Sequence, residues 1–355
     1  MYHYVNDFPG SITIPPLRFE EQCRVLAEKG WRGVSLAEAE DFLLNGEPLP
    51  RASILLTFDD GFFDNYLFAQ PLLRKYGHKG VVFAVSGRLE PGNSPRAALD
   101  DVLDGRIPDL PHVRVPTEVT PQGHTLRKDV FLNHAEAKAM HARGILAVAS
   151  HSRGHYGVFT GPEFKNFFKP RPQSRTFYRT EMDPVWGLPN FQVKAGLKHR
   201  AFLPDPDLIH AVTSLVPQTF SAAAEFFSQE AGVRDLTGLV RGFSGRLGRF
   251  ETDDERRERM WREIQGGKAE LEAILGSEVR ALCWPWGDSC PEALQLAREA
   301  GFRVFFTTRE GVNPPGRPLA VHRFKGKDKS GLWLVNRARL YSRPLLGALY
   351  ARMRI

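Results

Sequence analysis

The sequence predicts an α/β protein built around parallel strands. Residues 53–58 and 80–85 are short, nearly all apolar and β-prone, as strands buried on both faces are. Residues 65–76, between them, have helical apolar spacing and stop at Gly77. The order strand, helix, strand is typical of a parallel sheet whose crossover connections are helices.

The same alternation continues along most of the chain. The predicted strands span residues 2–5, 53–58, 80–85, 145–150, 279–284 and 303–308. The predicted helices span residues 19–29, 35–44, 65–76, 135–143, 253–275 and 291–300. Two stretches interrupt the pattern, at about residues 88–133 and 157–250, and we interpret both as insertions.

Composition and charge narrow the classes of protein. The 355 residues are 42% hydrophobic and carry a formal net charge of +7, which favours acidic partners. No nucleic-acid-binding motif accompanies this charge, so we do not expect nucleic acid as a partner. The three cysteines form neither a disulfide framework nor a zinc-type pair. No signal peptide and no membrane-spanning apolar run is visible, and we therefore expect a cytoplasmic protein.

Two adjacent carboxylates follow the strand at residues 53–58. Asp59 and Asp60 stand at its carboxyl end, where active sites collect in α/β folds, and Gly61 allows a sharp turn. Because neighbours on a strand point in opposite directions, the turn can aim one carboxylate at a metal and the other at a substrate. An ordinary Asp-Asp-Gly turn without function is the alternative.

Two histidines follow the strand at residues 145–150. His151 and His155 are four residues apart, and Gly154 between them favours a compact loop. Two imidazoles and one carboxylate form a recurrent catalytic site for a divalent metal, although exposed loop histidines are the alternative. Parallel strands would place both motifs at one face of the sheet. A metal there would lower the pKa of a water ligand, and the second carboxylate could accept its proton.

The two motifs resemble those of a known enzyme family, the NodB-homology polysaccharide deacetylases (carbohydrate esterase family four). That family shows Thr-Phe-Asp-Asp-Gly and His-(Ser/Thr)-x-x-His. The matching segments here are Thr57-Phe58-Asp59-Asp60-Gly61 and His151-Ser152-Arg153-Gly154-His155. The resemblance implies a distorted (β/α) barrel, usually with fewer than eight strands. It further implies Asp59 as general base, with Asp60, His151 and His155 binding a divalent metal, typically Zn²⁺ with Co²⁺ or Ni²⁺ as alternatives.

The third motif departs from the family pattern. The family usually has Arg-x-Pro-x-Gly, or a Tyr-Pro-Tyr-Gly-like turn, but residues 283–287 read Cys-Trp-Pro-Trp-Gly. The arginine that would orient the base is therefore missing. The resemblance implies that Trp284 and Trp286 line a substrate groove and that the Trp286 N–H helps to bind the oxyanion. Core packing of both tryptophans is the alternative.

Two further histidines are candidates by the same resemblance. Many members of the family place a late histidine where it can protonate the leaving amine. His322, which follows the strand-like residues 319–321, is the candidate for this acid. His3 stands in a first segment similar to the one that opens many members, and it is expected to line the same pocket.

These inferences predict metal-dependent removal of the N-acetyl group from an amino sugar in a glycan or a lipid-linked glycan precursor. A deformylase or other amidase on a lipid-linked amino sugar, or a catalytically silent glycan-binding member, is the alternative. Residues 1–325 would form the barrel with its two insertions. Residues 326–355 would form a basic amphipathic tail, which either contacts an anionic membrane peripherally or packs on the body.

Overall fold

A computed structural model of the chain describes residues 1–110, 117–120, 123–170, 180–182, 185–243 and 246–353. Its strands are β1 (Tyr4–Val5), β2 (Thr13–Ile14), β3 (Arg32–Gly33), β4 (Ser53–Ile54), β5 (Leu56–Asp60), β6 (Gly80–Ala84), β7 (Thr117–Thr120), β8 (Gly123–Leu126), β9 (Leu146–Ser150), β10 (Gly157–Phe167), β11 (Pro189–Ala195), β12 (Phe202–Pro204), β13 (Gly248–Phe250), β14 (Ala281–Cys283) and β15 (Val304–Phe306).

The helices alternate with these strands. They are α1 (Pro16–Glu28), α2 (Leu36–Asn45), α3 (Gln70–Lys75), α4 (Leu99–Leu103), α5 (His134–Arg143), α6 (Pro206–Thr213), α7 (Phe220–Ser228), α8 (Glu230–Gly242), α9 (Asp253–Trp261), α10 (Gly267–Leu275), α11 (Pro291–Glu299), α12 (Gly331–Tyr341) and α13 (Pro344–Arg352). Two π-helical turns, Asn65–Ala69 and Arg262–Gly266, lead into α3 and join α9 to α10.

The core is a curled parallel sheet. Its five strands stand in the order β15-β14-β9-β6-β5. Tyr2 adds a parallel bridge outside β5, and Val321 adds one outside β15. These two outer segments meet, because the Met1 nitrogen donates to the Phe324 carbonyl oxygen at 2.9 Å. The predicted distorted (β/α) barrel is therefore confirmed, and the carboxyl ends of its strands lie at one face.

Local sequence explains where these elements begin and end. The five residues of β5 are all buried, as the apolar pattern predicts for a strand covered on both faces. Ser35 and Glu38 form a reciprocal capping box at the start of α2, and Gly46 ends that helix in the left-handed conformation. The predicted helix at residues 253–275 is one continuous rod, since its π-helical turn runs directly into α10.

The second insertion forms a compact unit with its own apolar core. It contains the antiparallel pairs β10–β11 and β12–β13 and the helices α6, α7 and α8. The buried side chains of this core are Phe159, Phe167, Trp186, Phe191, Phe202, Leu208, Val212, Val216, Ala223, Leu236 and Val240. Residues 165–200 of this insertion hold eight lysines and arginines against two acidic residues, and part of this stretch, at 171–179 and 183–184, lies outside the described residues.

The first insertion and the C-terminal tail are also structured where they are described. Residues 88–133 include α4 and the hairpin β7–β8. The tail forms α12, which packs on α1, and then α13, with Pro344 at the first position of the second helix. None of the described helices combines the length and the apolar character that crossing a bilayer requires. The domain boundary near residue 325 stays a prediction.

The separate core of the second insertion predicts the effect of Leu208→Ala. Leu208 is fully buried on α6, so truncation should cost about 2–5 kcal/mol of unfolding free energy within that unit. Limited proteolysis should then cut residues 157–250 faster while the barrel fragment persists. The control is Leu215→Ala, because Leu215 is 55% exposed. Equal proteolysis of both variants would contradict an independent core.

Candidate active site

The two carboxylates at the end of β5 point to the same side. Asp59 and Asp60 are both buried, and Asp60 has a positive φ of 79° that turns its side chain away from the alternation of the strand. Gly61 follows with φ 75°, and a Cβ there would lie 3.0 Å from that of Ala84 on the neighbouring strand. A glycine is therefore required both by the backbone conformation and by the close approach of β6.

The histidine loop brings two imidazoles to Asp60. The Nε2 atoms of His151 and His155 lie 3.7 and 3.8 Å from Asp60 Oδ1. These separations exceed a hydrogen bond and suit ligands of one ion. The Nδ1 of His151 lies 2.8 Å from the carbonyl oxygen of Cys283. Because a carbonyl can only accept, Nδ1 carries the proton and Nε2 keeps its lone pair for a metal.

The protonation states agree with a cation site. Burial, and then the neighbouring Asp59, raise the pKa of Asp60 to about 7. Burial also lowers the pKa values of His151 and His155, so both imidazoles are neutral near pH 7. A buried carboxylate beside a second carboxylate is costly unless a positive charge accompanies it. Asp60, His151 and His155 therefore have the donor types and the charge that a divalent metal requires.

A glutamate that the sequence analysis did not single out holds the histidine loop. Glu263, on the π-helical turn between α9 and α10, accepts hydrogen bonds through Oε2 from the Ser152 hydroxyl and the Gly154 N–H, both at 3.0 Å. Ser152 in turn accepts from the His155 N–H at 3.1 Å. Gly267 lies against the same loop, where a Cβ would be 2.7 Å from the Arg153 nitrogen. Helix and loop are therefore packed backbone to backbone.

An arginine from the far end of the barrel holds Asp59. Arg323 donates from Nη1 to Asp59 Oδ1 at 2.6 Å and from Nη2 to Oδ2 at 2.9 Å. Its remaining donors bond the Thr307 carbonyl, the Thr57 hydroxyl and the Cys283 sulfur. Every N–H of the guanidinium therefore has an acceptor. The third motif lacks the orienting arginine, but Arg323 supplies that function from another segment.

This ion pair sets the charge of Asp59. Burial alone would raise its pKa, but the Arg323 guanidinium and then His151 outweigh burial and hold the pKa well below its ordinary range. Both partners are almost completely buried, with side-chain exposures of 4% for Arg323 and 3% for Asp59. A bidentate pair in such surroundings fixes orientation as well as charge. Asp59 is thus an ionised carboxylate adjacent to the candidate metal ligands.

His3 and Trp286 also lie at this site. His3 interacts electrostatically with Asp59 and His151, and burial is the main reason that its pKa is lowered to about 4. The Trp286 ring stacks beside His155 with centroids 6.3 Å apart, and its Nε1–H donates to the His155 carbonyl oxygen at 3.4 Å. Trp286 is 39% exposed, so its ring is available at the mouth of the site.

Two sequence-based assignments disagree with the structure. Trp284 is 1% exposed and stacks on Phe305, so this side chain belongs to the core and cannot contact a substrate. His322 lies against Gly311 and lines a different cavity, of about 850 Å³, whose lining includes neither Asp60 nor the histidine pair. The reason is register, since Arg323 points to Asp59 and its neighbour in an extended segment must point elsewhere.

Backbone strain is concentrated at the same place. Five non-glycine residues have positive φ in the part of the chain that the structure describes, and four of them belong to the three motifs. These four are Asp60, Ser152, His155 and Trp286. Each such conformation costs about 1–3 kcal/mol and persists only where the surroundings enforce it. Such clustering is typical of functional sites.

Comparison with known proteins agrees with this geometry. A family model described as polysaccharide deacetylase matches residues 46–166, the segment that contains the aspartate pair and the histidine pair. Residues 46–166 are thus similar to the polysaccharide deacetylases. The family resemblance that the two motifs predict is thereby confirmed.

Similar proteins include bacterial sequences and solved structures. YxkH of Bacillus subtilis is 34% identical over 85 residues, 24% of this chain and 30% of that protein. Poly-beta-1,6-N-acetyl-D-glucosamine N-deacetylase of Escherichia coli is 38% identical over 78 residues, 21% of this chain and 12% of that protein. The matched regions thus span less than a third of these relatives.

The likeness in fold extends over nearly the whole chain. A de-N-acetylase from Aggregatibacter actinomycetemcomitans gives a TM-score of 0.60 at 16% identity, covering 95% of this chain and 97% of that one. The BpsB deacetylase domain from Bordetella bronchiseptica gives 0.55 at 20% identity, covering 91% and 90%. At these identities the likeness shows the fold alone.

The donor set predicts which variants lose metal. Asp60→Ala and His151→Ala should each lower zinc affinity by about 100-fold or more, since each removes a ligand. Zinc content after dialysis, measured by mass spectrometry of the metal, tests this. The matched control is His134→Ala, a partly buried histidine at the start of α5. Full zinc content in either ligand variant would rule out the proposed set.

Proposed function

We propose that this protein is a deacetylase that hydrolyses the N-acetyl group of an amino sugar in a glycan or a lipid-linked glycan precursor. One observation supports the proposal most strongly. The ionised Asp59, fixed by Arg323, lies directly beside the three candidate metal ligands. A base and a cation site in contact are what amide hydrolysis by an activated water requires.

Each residue of the site has a defined task in this proposal. Asp60, His151 and His155 would hold a divalent metal, most simply Zn²⁺, which supplies Lewis-acid activation of water and of the acetamide carbonyl. Asp59 accepts the proton of the attacking water, because Arg323 keeps its carboxylate ionised at neutral pH. The backbone N–H of Trp286, in the turn beside His155, donates to the oxyanion that develops on the carbonyl oxygen.

The proton that Asp59 accepts can also protonate the leaving group. After the attack Asp59 is protonated and adjacent to the tetrahedral centre, so it can return that proton to the departing nitrogen as the C–N bond breaks. His322 is not assigned this step because it lines a different cavity. His3 is neutral near pH 7, since burial lowers its pKa to about 4, and it serves as a hydrogen-bonding group for the substrate.

The family resemblance and the mouth of the site support the proposed substrate class. The half-exposed Trp286 ring offers an apolar face to a sugar ring beside the metal ligands. The Escherichia coli relative is named for poly-beta-1,6-N-acetyl-D-glucosamine. Oligomers of β-1,6-linked N-acetylglucosamine are therefore the first substrates to test.

The zinc-loaded protein should release acetate from these oligomers. Asp59→Asn keeps the size of the base but removes its proton affinity, so kcat should fall by about 10²–10⁴-fold while zinc content is retained. An enzymatic acetate assay together with zinc analysis measures both. Formate release from a formamido sugar without acetate release would favour the deformylase. Glycan binding with neither product, or full activity of Asp59→Asn, would contradict the proposal.

Moving the orienting arginine from position 323 to position 283 tests whether the two positions are interchangeable. Arg323→Ser should lower kcat by about 10²-fold or more, because Asp59 loses its bidentate partner and its fixed orientation. Cys283 touches both Arg323 and Asp59 and occupies the first position of the third motif, where the family has its arginine. Cys283→Arg combined with Arg323→Ser should therefore recover part of kcat. Cys283→Ser is the control, and failure of the pair to exceed Arg323→Ser would contradict interchangeable positions.

A further inference from the structure

Helix α13 presents its large apolar side chains outward. Its fully packed positions are the small residues Gly347 and Ala351, one helical turn apart. A Cβ on Gly347 would lie 2.6 Å from Val312, so the helix backbone rests directly on the body. In contrast, Leu345, Leu346, Leu349 and Met353 are 87%, 49%, 59% and 78% exposed.

This distribution of side chains is the reverse of that in an ordinary surface helix, which buries its leucines and exposes polar groups. Within the described residues no other element of comparable length exposes four large apolar side chains. A contiguous apolar surface of this kind marks an interaction site. We call the outward surface formed by Leu345, Leu346, Leu349 and Met353 the α13 face.

The charged residues of the segment 331–355, which carries the α13 face, are all arginines. Arg339, Arg343 and Arg352 are exposed next to it, and residues 331–355 contain no aspartate or glutamate. Arg337 is packed instead, with its guanidinium 4.8 Å from the centre of the Tyr350 ring. Exposed leucines with flanking arginines are complementary to a surface that is apolar inside and anionic at its boundary.

A second copy of the chain fits this surface less well. Two-fold pairing places the same patch of both copies face to face, so the arginines of one copy would meet the arginines of the other. An anionic bilayer has no such conflict. Pro344, which precedes the α13 face in the chain, also lines the cavity of about 850 Å³ together with residues of α2 and α12.

We propose that the α13 face is a peripheral docking surface for an anionic lipid bilayer. The leucines and Met353 enter the boundary between headgroups and acyl chains, and the three exposed arginines lie at the level of the phosphates. This identifies the part of the predicted basic tail that makes membrane contact. The proposal does not depend on the catalytic one, because no residue of the α13 face belongs to the metal site.

Vesicle flotation with the full chain tests the proposal. The protein should float with phosphatidylcholine vesicles that contain phosphatidylglycerol and bind pure phosphatidylcholine much more weakly. Raising the salt concentration should weaken the binding. Leu345→Ser combined with Leu349→Ser should lower the partition coefficient by about tenfold, and Arg343→Gln combined with Arg352→Gln by a similar factor on anionic vesicles alone.

Matched variants separate this surface from general effects. Leu103→Ser with Leu215→Ser removes two exposed leucines elsewhere and should bind as the unmodified chain does. Asp60→Ala should also bind fully, which distinguishes this test from a failure of the catalytic proposal. Absence of the unmodified chain from anionic vesicles at low salt would overturn the proposal. So would a dimer in light scattering that the two leucine substitutions dissociate.

Discussion

The ion pair between Asp59 and Arg323 is the interaction on which this site depends. The two residues are 264 positions apart, and their contact joins the first strand of the sheet to the last extended segment of the barrel. Without the guanidinium, two buried carboxylates would stand side by side, and burial would push both towards neutrality. Arg323 thus keeps Asp59 ionised, as the proposed base must be, and leaves Asp60 as the candidate ligand that would balance a metal. One pair divides two adjacent aspartates into different roles.

Cys283 connects this pair to the metal ligands. Its sulfur accepts a hydrogen bond from Arg323, and its carbonyl oxygen fixes the tautomer of His151. A single residue at the end of β14 therefore contacts both Arg323, which fixes Asp59, and His151, which is a candidate metal ligand. Glu263 completes the support from the helical side, where it fixes the loop that ends in His155. The strained backbone at these motifs is stable because these buried contacts surround it.

Much of this arrangement could be predicted because its signals are local. Asp59, Asp60, His151 and His155 stand directly after apolar strands, and parallel strands bring their ends together. Arg323 could not be found in this way, since nothing in its neighbouring residues marks a contact so distant along the chain. The assignment of the adjacent His322 as the acid for the leaving amine disagrees with the structure, because successive side chains of an extended segment point to opposite sides and His322 faces away from Asp59. Burial likewise separates Trp284 from Trp286, although the two are only two positions apart.

The core of the second insertion was harder to predict from the sequence, because many basic residues are interspersed among its apolar residues. Its core draws on side chains from strands and helices far apart in sequence, so no single periodic pattern identifies it. Its attachment points nevertheless bear on function. β10 begins two residues after His155, and the Leu197 carbonyl oxygen accepts from the Cys290 N–H just beyond the third motif. Because this unit has its own core and is attached next to the second and third motifs, we expect it to influence what approaches Trp286. Substrate selection should therefore be altered by exchanging this insertion between family members while the four catalytic and ligand side chains are kept.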